Sequence, residues 1–198
     1  MEIPLAKSSF PVFLVILLSL SQCLSLQTRF VLVDTHHAGN VGAAARALRI
    51  DELVLVHPRD AKVLRRERTK QAASGAMNVI DKCQIYDTLA DALEGIDVSC
   101  GTGMPHDMSR TRSEQLYTEP RLFMESLMKE NNTMQSIAFV FGNEKMGMEG
   151  EDMASCNVIL GIPTNPQFGS LNLASAVQII AYDWRQALGG FGEEAAME

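Results

Sequence analysis

Three short stretches of this sequence join glycines to polar side chains in patterns suited to holding a small ligand beside a developing negative charge. In the first, Asp34-Thr35-His36-His37-Ala38-Gly39-Asn40-Val41-Gly42-Ala43-Ala44-Ala45-Arg46, an amide and a guanidinium are separated only by small or apolar residues. Glycines let backbone approach a ligand closely, and a guanidinium is a rigid fork of donors for phosphate or an alkoxide. Each residue also has an ordinary explanation, Asn40 as a helix cap and Arg46 as a solvated helical cation. The second, Gly142-Asn143-Glu144-Lys145-Met146-Gly147, sets a carboxylate between two glycines directly after an apolar run; alone, it reads equally well as an exposed loop glutamate. The third runs Ile162-Pro163-Thr164-Asn165-Pro166-Gln167-Phe168-Gly169-Ser170-Leu171-Asn172-Leu173-Ala174. Its prolines fix an extended entry, Gly169 makes a turn and Ser170 stands where a helix N-cap is expected. Asn172, a poor helix former, then falls in the first turn with its amide available to a ligand.

The surrounding pattern says what must position these stretches. Apolar runs of strand length at 30–33, 53–56, 79–86, 96–100, 137–141 and 158–162 alternate with helical periodicities at 41–48, 61–73, 88–93, 120–129 and 171–188. That alternation predicts an α/β fold, a parallel sheet with helices packed on it. The first stretch follows the first strand, at a carboxyl end where open sheets bind ligands. Gly39-x-x-Gly42 alone is not a dinucleotide-binding fingerprint.

With 198 residues, 46% of them hydrophobic and 21% charged, the chain suits one globular domain and not a disordered or fibrous one. A net charge of -7 argues against a nucleic-acid partner held by overall charge. Yet Arg59, Lys62, Arg65, Arg66, Arg68 and Lys70 form one basic segment broken by only two acidic residues. Usually such a run is a solvated face; beside the first stretch it is a candidate phosphate-tracking surface. The four cysteines lack metal-ligand spacing, and His36 and His37 have no cysteine or carboxylate at that spacing, so no metal is expected. The eleven methionines read as core filling. Residues 10–20 (FPVFLVILLSL) are too short to span a membrane and lead into the small-x-small pattern Ser19-Leu20-Ser21. Residues 1–26 are therefore expected to be a signal or targeting leader, 29–188 the folded domain without a stable membrane span, and 189–198 a mobile tail.

Taken in order, Asn-x-Gly-x-x-x-Arg, Gly-x-Glu-x-x-Gly and Ile-Pro-(x)7-Leu-Asn-Leu-Ala resemble the three motifs of the SpoU (TrmH-type) RNA 2'-O-ribose methyltransferases of the SPOUT superfamily. The wording of the first and third is most similar to the TrmJ-like branch. The resemblance implies a parallel α/β sheet with helices on both faces and a C-terminal trefoil knot, and a homodimer with RNA, tRNA in preference to rRNA, as substrate. It implies S-adenosylmethionine as methyl donor, held by Thr102, Gly103, Met104, Gly142, Ile162, Gly169, Ser170 and Leu171. By the same motifs, Arg46 acts on the ribose hydroxyl, with Asn40, Glu144, Ser170 and Asn172 arranged around it. A guanidinium is protonated at all ordinary pH, so stabilising the alkoxide or a phosphate suits Arg46 better than acting as a base. The branch's Ser-Ala-Arg-x-Arg is replaced here by a longer loop from Thr102 that displaces Arg110 and Arg112, both still candidate RNA contacts. The chain ends soon after the last predicted helix, so the C-terminal extension of many bacterial TrmJ-like proteins is not expected. Two other readings stand beside this one: a catalytically silent RNA-binding module on the same fold, and a nicotinamide-dependent oxidoreductase, which the missing glycine fingerprint disfavours. A secretory-type leader on an RNA-modifying enzyme points to an organelle reached through that route, for example a plastid, and to the cytoplasm if the leader is not functional.

Overall fold

The computed structural model describes residues 26–48, 51–103, 117–130, 133–165 and 169–190. The leader expected before residue 26, the tail beyond residue 190, Met104, Arg110 and Arg112 lie outside the described residues. The strands are β1 (Gln27–Val33), β2 (Glu52–Val56), β3 (Gln84–Tyr86), β4 (Val98–Gly103), β5 (Tyr117–Thr118), β6 (Ser136–Phe141) and β7 (Val158–Gly161). They form one sheet in the order β3-β2-β1-β6-β4-β7-β5, with every neighbouring pair parallel. The helices are α1 (Ala38–Leu48), α2 (Glu67–Ala73), α3 (Met77–Lys82), α4 (Leu89–Leu93), α5 (Pro120–Glu130), α6 (Gly150–Ala154) and α7 (Leu173–Ala187).

A parallel sheet covered on both faces requires strands that are apolar throughout, and β6 is buried at all six positions. Alternation along the strands sorts side chains by size. Phe30, Leu32, Leu53, Leu55, Phe139 and Phe141 face α1, α3 and α7 in the larger core. Val31, Val33, Val54, Val56, Ala138 and Val140 face Leu89 and Ala92 of α4 and Met153 of α6. Trp184 of α7 sets its ring edge-on to Phe139 at 5.5 Å, and its indole N–H donates to Thr28 Oγ1 at 2.9 Å. Full burial of such a side chain contributes about 1.5–3 kcal/mol, so this contact anchors α7 to the sheet. Asp183, one position earlier and buried, is neutralised at the surface by Arg121, whose Nε and Nη2 donate at 3.0 and 2.7 Å.

Several element expectations change. The helix expected over 61–73 breaks into a 3₁₀ turn, Val63–Arg65, and α2, because Arg66 is extended at φ -67°, ψ 137°. The weak strand over 79–86 divides into the end of α3 and β3, a three-residue edge strand. The first helix starts at Ala38 rather than Val41, so Gly39 and Gly42 lie within it and not in a turn. A Cβ on Gly42 would overlap the Thr69 carbonyl oxygen and sit 2.8 Å from Ala72 Cβ. Gly42 therefore lets α1 and α2 pack tightly, a helix-to-helix role and not an approach to ligand. Short β5 and α6 carry too few residues to show periodicity and were not anticipated.

Candidate functional site

The loops after β1 and β6, neighbours in the sheet, meet at Glu144. Its carboxylate accepts hydrogen bonds from Thr35 Oγ1 (3.0 Å), His36 N (2.9 Å), His37 N (3.0 Å) and Asn40 Nδ2 (2.9 Å). Its side chain is 9% exposed. Burial pushes the carboxyl pKa up, but these donors outweigh it and hold the group at about 2. A carboxylate so placed stays ionised and cannot accept a proton at neutral pH. It acts as an external cap on α1, satisfying amides just before the helix, where the dipole favours negative charge. His36 Nδ1, 3.7 Å from Glu144 Oε2, is buried with no hydrogen-bond partner among the described residues.

The loop that delivers Glu144 explains its two glycines. Asn143 and Gly147 exchange backbone hydrogen bonds at 3.1 and 3.0 Å, and Asn143 Oδ1 accepts from Lys145 N and Met146 N. The returning strand passes so close to Gly142 that a Cβ there would overlap Gly147, and Gly147 itself turns at φ 71°.

Asn172 carries the connection to the third stretch. Its Oδ1 accepts from Ala174 N (3.0 Å) and Ser175 N (3.3 Å), so Asn172, not Ser170, is the N-cap of α7, which begins at Leu173. Its Nδ2 donates to Asn40 Oδ1 at 3.1 Å. Asn40, expected as a possible cap, lies inside α1 and spends its own Nδ2 on Glu144. One hydrogen-bonded chain thus runs from α7 through Asn172 and Asn40 to Glu144 and joins all three stretches.

Beside this chain, at the carboxyl ends of β4, β6 and β7, lies a cleft of about 520 Å³. Thr102, Gly103, Gly142, Ile162, Gly169, Ser170 and Leu171, all expected around a cofactor, line it, and so does Glu144. Thr102 Oγ1 donates to Val140 O and Thr164 Oγ1 to Gly169 O, so these hydroxyls fix the walls. Met146, Met148, Met153 and Leu173 supply its apolar surface; Met148 and Met153 are also buried in the smaller core, in line with a core-filling role for methionine, whereas Met146 is exposed. The volume is that of a drug-sized ligand site, and backbone polar groups beside apolar side chains suit a nucleoside with a hydrophobic base. Among the described residues no three His, Cys, Asp or Glu side chains come together to hold a metal. The Cys83 and Cys156 thiols are pushed up to about 12 by burial, which leaves them protonated.

Arg46 lies elsewhere. It is exposed in the last turn of α1 and lines a separate hollow of about 300 Å³ with Ser74, Gly75 and Ala76. The basic segment is only partly free: Arg59 pairs with Asp34 at 3.4 Å and Arg66 with Asp60 at 2.5 Å. Lys62, Arg65, Arg68 and Lys70 are exposed without an ion pair among the described residues. The Arg68 side chain lies against Gly39, 3.5 Å from where a Cβ would stand, which brings this segment to the start of α1. Not foreseen was the pair Asp34 and His57. They follow β1 and β2 directly, both in left-handed conformation (φ 52° and 45°), with His57 Nδ1 2.7 Å from Asp34 Oδ1.

Known proteins place the chain. Residues 27–182 match the SpoU rRNA Methylase family model. The chain is 36% identical over 174 residues to the tRNA (cytidine/uridine/adenosine-2'-O-)-methyltransferase TrmJ of Pseudomonas aeruginosa, covering 86% of this chain and 65% of that protein. It is 39% identical over 162 residues to the tRNA (cytidine/uridine-2'-O-)-methyltransferase TrmJ of Photorhabdus laumondii, covering 80% and 64%. The chain therefore spans just under two thirds of the length of these relatives. Among solved structures, a probable methyltransferase from Bordetella pertussis superposes with a TM-score of 0.74 at 28% identity over 86% of this chain and 99% of that one. TrmJ from Z. mobilis superposes with a TM-score of 0.70 at 29% identity over 81% and 69%. With three motifs in order, a parallel sheet of this topology and a match over most of the domain, the chain belongs to the SpoU rRNA Methylase family and is similar to its TrmJ members.

Proposed function

We propose that the chain is an S-adenosylmethionine-dependent methyltransferase acting on a ribose 2'-hydroxyl of tRNA. The observation that carries this is the chain of hydrogen bonds from Asn172 through Asn40 to Glu144 beside the 520 Å³ cleft. The relatives named as tRNA 2'-O-methyltransferases support the substrate and the reaction.

When bound, the cofactor supplies a sulfonium methyl electrophilic enough for direct transfer. Gly103, Gly142 and Gly169–Leu171, which line the cleft, would hold it through backbone groups, and Met148, Met153 and Leu173 would shelter it from water. Ordering hydroxyl and methyl donor in line is worth up to about 7–11 kcal/mol. Glu144 positions and does not take the proton, since its pKa of about 2 forbids that. The hydroxyl proton therefore passes to water or to a phosphate oxygen of the RNA. Arg46 steadies the resulting negative charge, and Lys62, Arg65, Arg68 and Lys70 attract the RNA backbone.

Arg46 and the cofactor cleft line separate hollows with no residue in common. A homodimer, which the motif resemblance implies, is the arrangement that sets one protomer's Arg46 against the other's cleft. The family's C-terminal trefoil knot belongs to the same proposal, as does an organelle-targeting leader, tested by the destination of a fluorescent fusion of residues 1–30.

The test is calorimetric titration with S-adenosylmethionine, followed by transfer of labelled methyl to purified tRNA and, separately, rRNA. Saturable binding with tRNA labelling is expected. Binding of RNA without cofactor would make the chain a silent module, and labelling of rRNA alone would move the substrate.

A further inference from the structure

The turn between α2 and α3 is built the wrong way round for its sequence. Ala76 N–H donates to Ala73 O at 3.0 Å, closing a four-residue turn. Ser74, its first central residue, adopts φ 52°, ψ -119°, the type II′ conformation that glycine fills without steric cost. A glycine stands one residue later, at Gly75, where φ is not in the left-handed region and a Cβ would meet nothing within 4 Å. Local preference would place these two residues in the opposite order. Backbone strain of this kind persists where the surroundings require the side chain, and it gathers at functional sites.

The surroundings here are Arg46. Ser74, Gly75, Ala76 and Arg46 line one hollow of about 300 Å³. Arg46 is exposed and has no hydrogen bond or ion pair among the described residues. The Ser74 N–H is spent on Lys70 O and the Ala76 N–H on the turn, while the Gly75 N–H has no acceptor among the described residues. The residues lining the hollow thus carry a guanidinium, a hydroxyl and a backbone amide, each able to donate, and include no carboxylate. That set recognises a phosphate ester, the guanidinium by its fork and the others by single hydrogen bonds.

We propose that Arg46, the Ser74 hydroxyl and the Gly75 amide form a seat for one phosphodiester of the substrate RNA, and that Ser74 is held in a strained conformation for that contact. The proposal rests on the reading of the chain as an RNA methyltransferase and adds two residues to its RNA site.

The decisive variant is Ser74→Gly, for which stability and function move in opposite directions. Relieving the strain should raise Tm by about 1–4 °C. Losing the hydroxyl should weaken tRNA binding by about threefold to tenfold, with the affinity for S-adenosylmethionine unchanged. Binding repeated over a range of salt should give Ser74→Gly the wild-type dependence, since a neutral donor is removed. Arg46→Gln should lower the logarithmic slope by about 0.7–0.9, one phosphate contact. Inorganic phosphate as competitor separates a free-anion site from an RNA seat: weak competition, lost in Arg46→Gln, is expected of the seat, and saturation by inorganic phosphate with no effect on tRNA binding would overturn it. A Ser74→Gly protein with raised Tm and wild-type tRNA affinity would overturn the proposal while leaving the methyltransferase reading intact. A fall in Tm would remove its premise of strain. A wild-type protein that binds no RNA would overturn both.

Discussion

Replacing Glu144 with glutamine changes one atom and removes the charge that four donors share. Thr35 Oγ1, His37 N and Asn40 Nδ2 all point at Oε1, and His36 N points at Oε2. A glutamine can offer its oxygen to one side only, so its NH₂ must face a donor on the other. The carboxyl pKa falls from an ordinary 4.5 to about 2. At about 1.36 kcal/mol per pH unit this corresponds to about 3 kcal/mol. Solvent near the loop reduces the figure to about 2 kcal/mol. The sign follows from a depressed pKa: the stabilisation is present above the unfolded value and disappears as pH falls through the folded one. Glu144→Gln should therefore cost about 2 kcal/mol at pH 7, a drop in Tm of roughly 4–8 °C for a chain of this size. The difference between variant and wild type should shrink by about two fifths at pH 3.5 and nearly vanish near pH 2. Urea unfolding of both proteins between pH 7 and pH 3 measures this directly. A pH-independent difference would show that the variant acts through packing, and no difference at pH 7 would refute the clasp.

Three further substitutions probe the scaffold around the site. Gly42→Ala forces a methyl into the Thr69 carbonyl and should destabilise the chain by about 3 kcal/mol, read from its urea midpoint, although helix propensity alone predicts a gain. Asn172→Ala removes the α7 cap and the bond to Asn40; a loss of about 1–2 kcal/mol is expected with weaker S-adenosylmethionine binding, whereas Ser170→Ala should leave stability within about 0.5 kcal/mol. Asp51 is raised to about 6 by burial, which Arg185 at 3.7 Å offsets only in part. Its contribution is present below the unfolded value of 3.8 and is lost as pH rises through 6, so Asp51→Asn should stabilise by about 2 kcal/mol at pH 8 and hardly at all at pH 4, in denaturation curves at the two pH values.

What the sequence revealed and what it hid follow from locality. Order and spacing picked out Asn40, Glu144 and Asn172, because glycines and polar residues after apolar runs mark loops at strand ends. They could not show that Glu144 turns back to amides more than a hundred positions earlier, since β1 and β6 become neighbours only when the sheet forms. The cap moved from Ser170 to Asn172 because two side chains of similar capping strength stood close together, and the start of α7 is decided by packing of Leu173 and Trp184 on the sheet. Gly42 was legible as glycine but not as a contact point, which depends on where α2 lies. Met146, Met148 and Met153 carry no pattern separating a cleft wall from a core. Strain at Asp34, His57 and Ser74 leaves no trace in residue type, because none of them is glycine.

Under the proposed function, methylation of a tRNA ribose hydroxyl depends on Arg46. The most direct measurement is nucleoside mass spectrometry of tRNA incubated with S-adenosylmethionine and either wild type or Arg46→Ala. A 2'-O-methylated nucleoside formed by the wild type and reduced at least about a hundredfold in the variant is the predicted result. Methyl found on a base, or equal ribose methylation by Arg46→Ala, would overturn the proposed function.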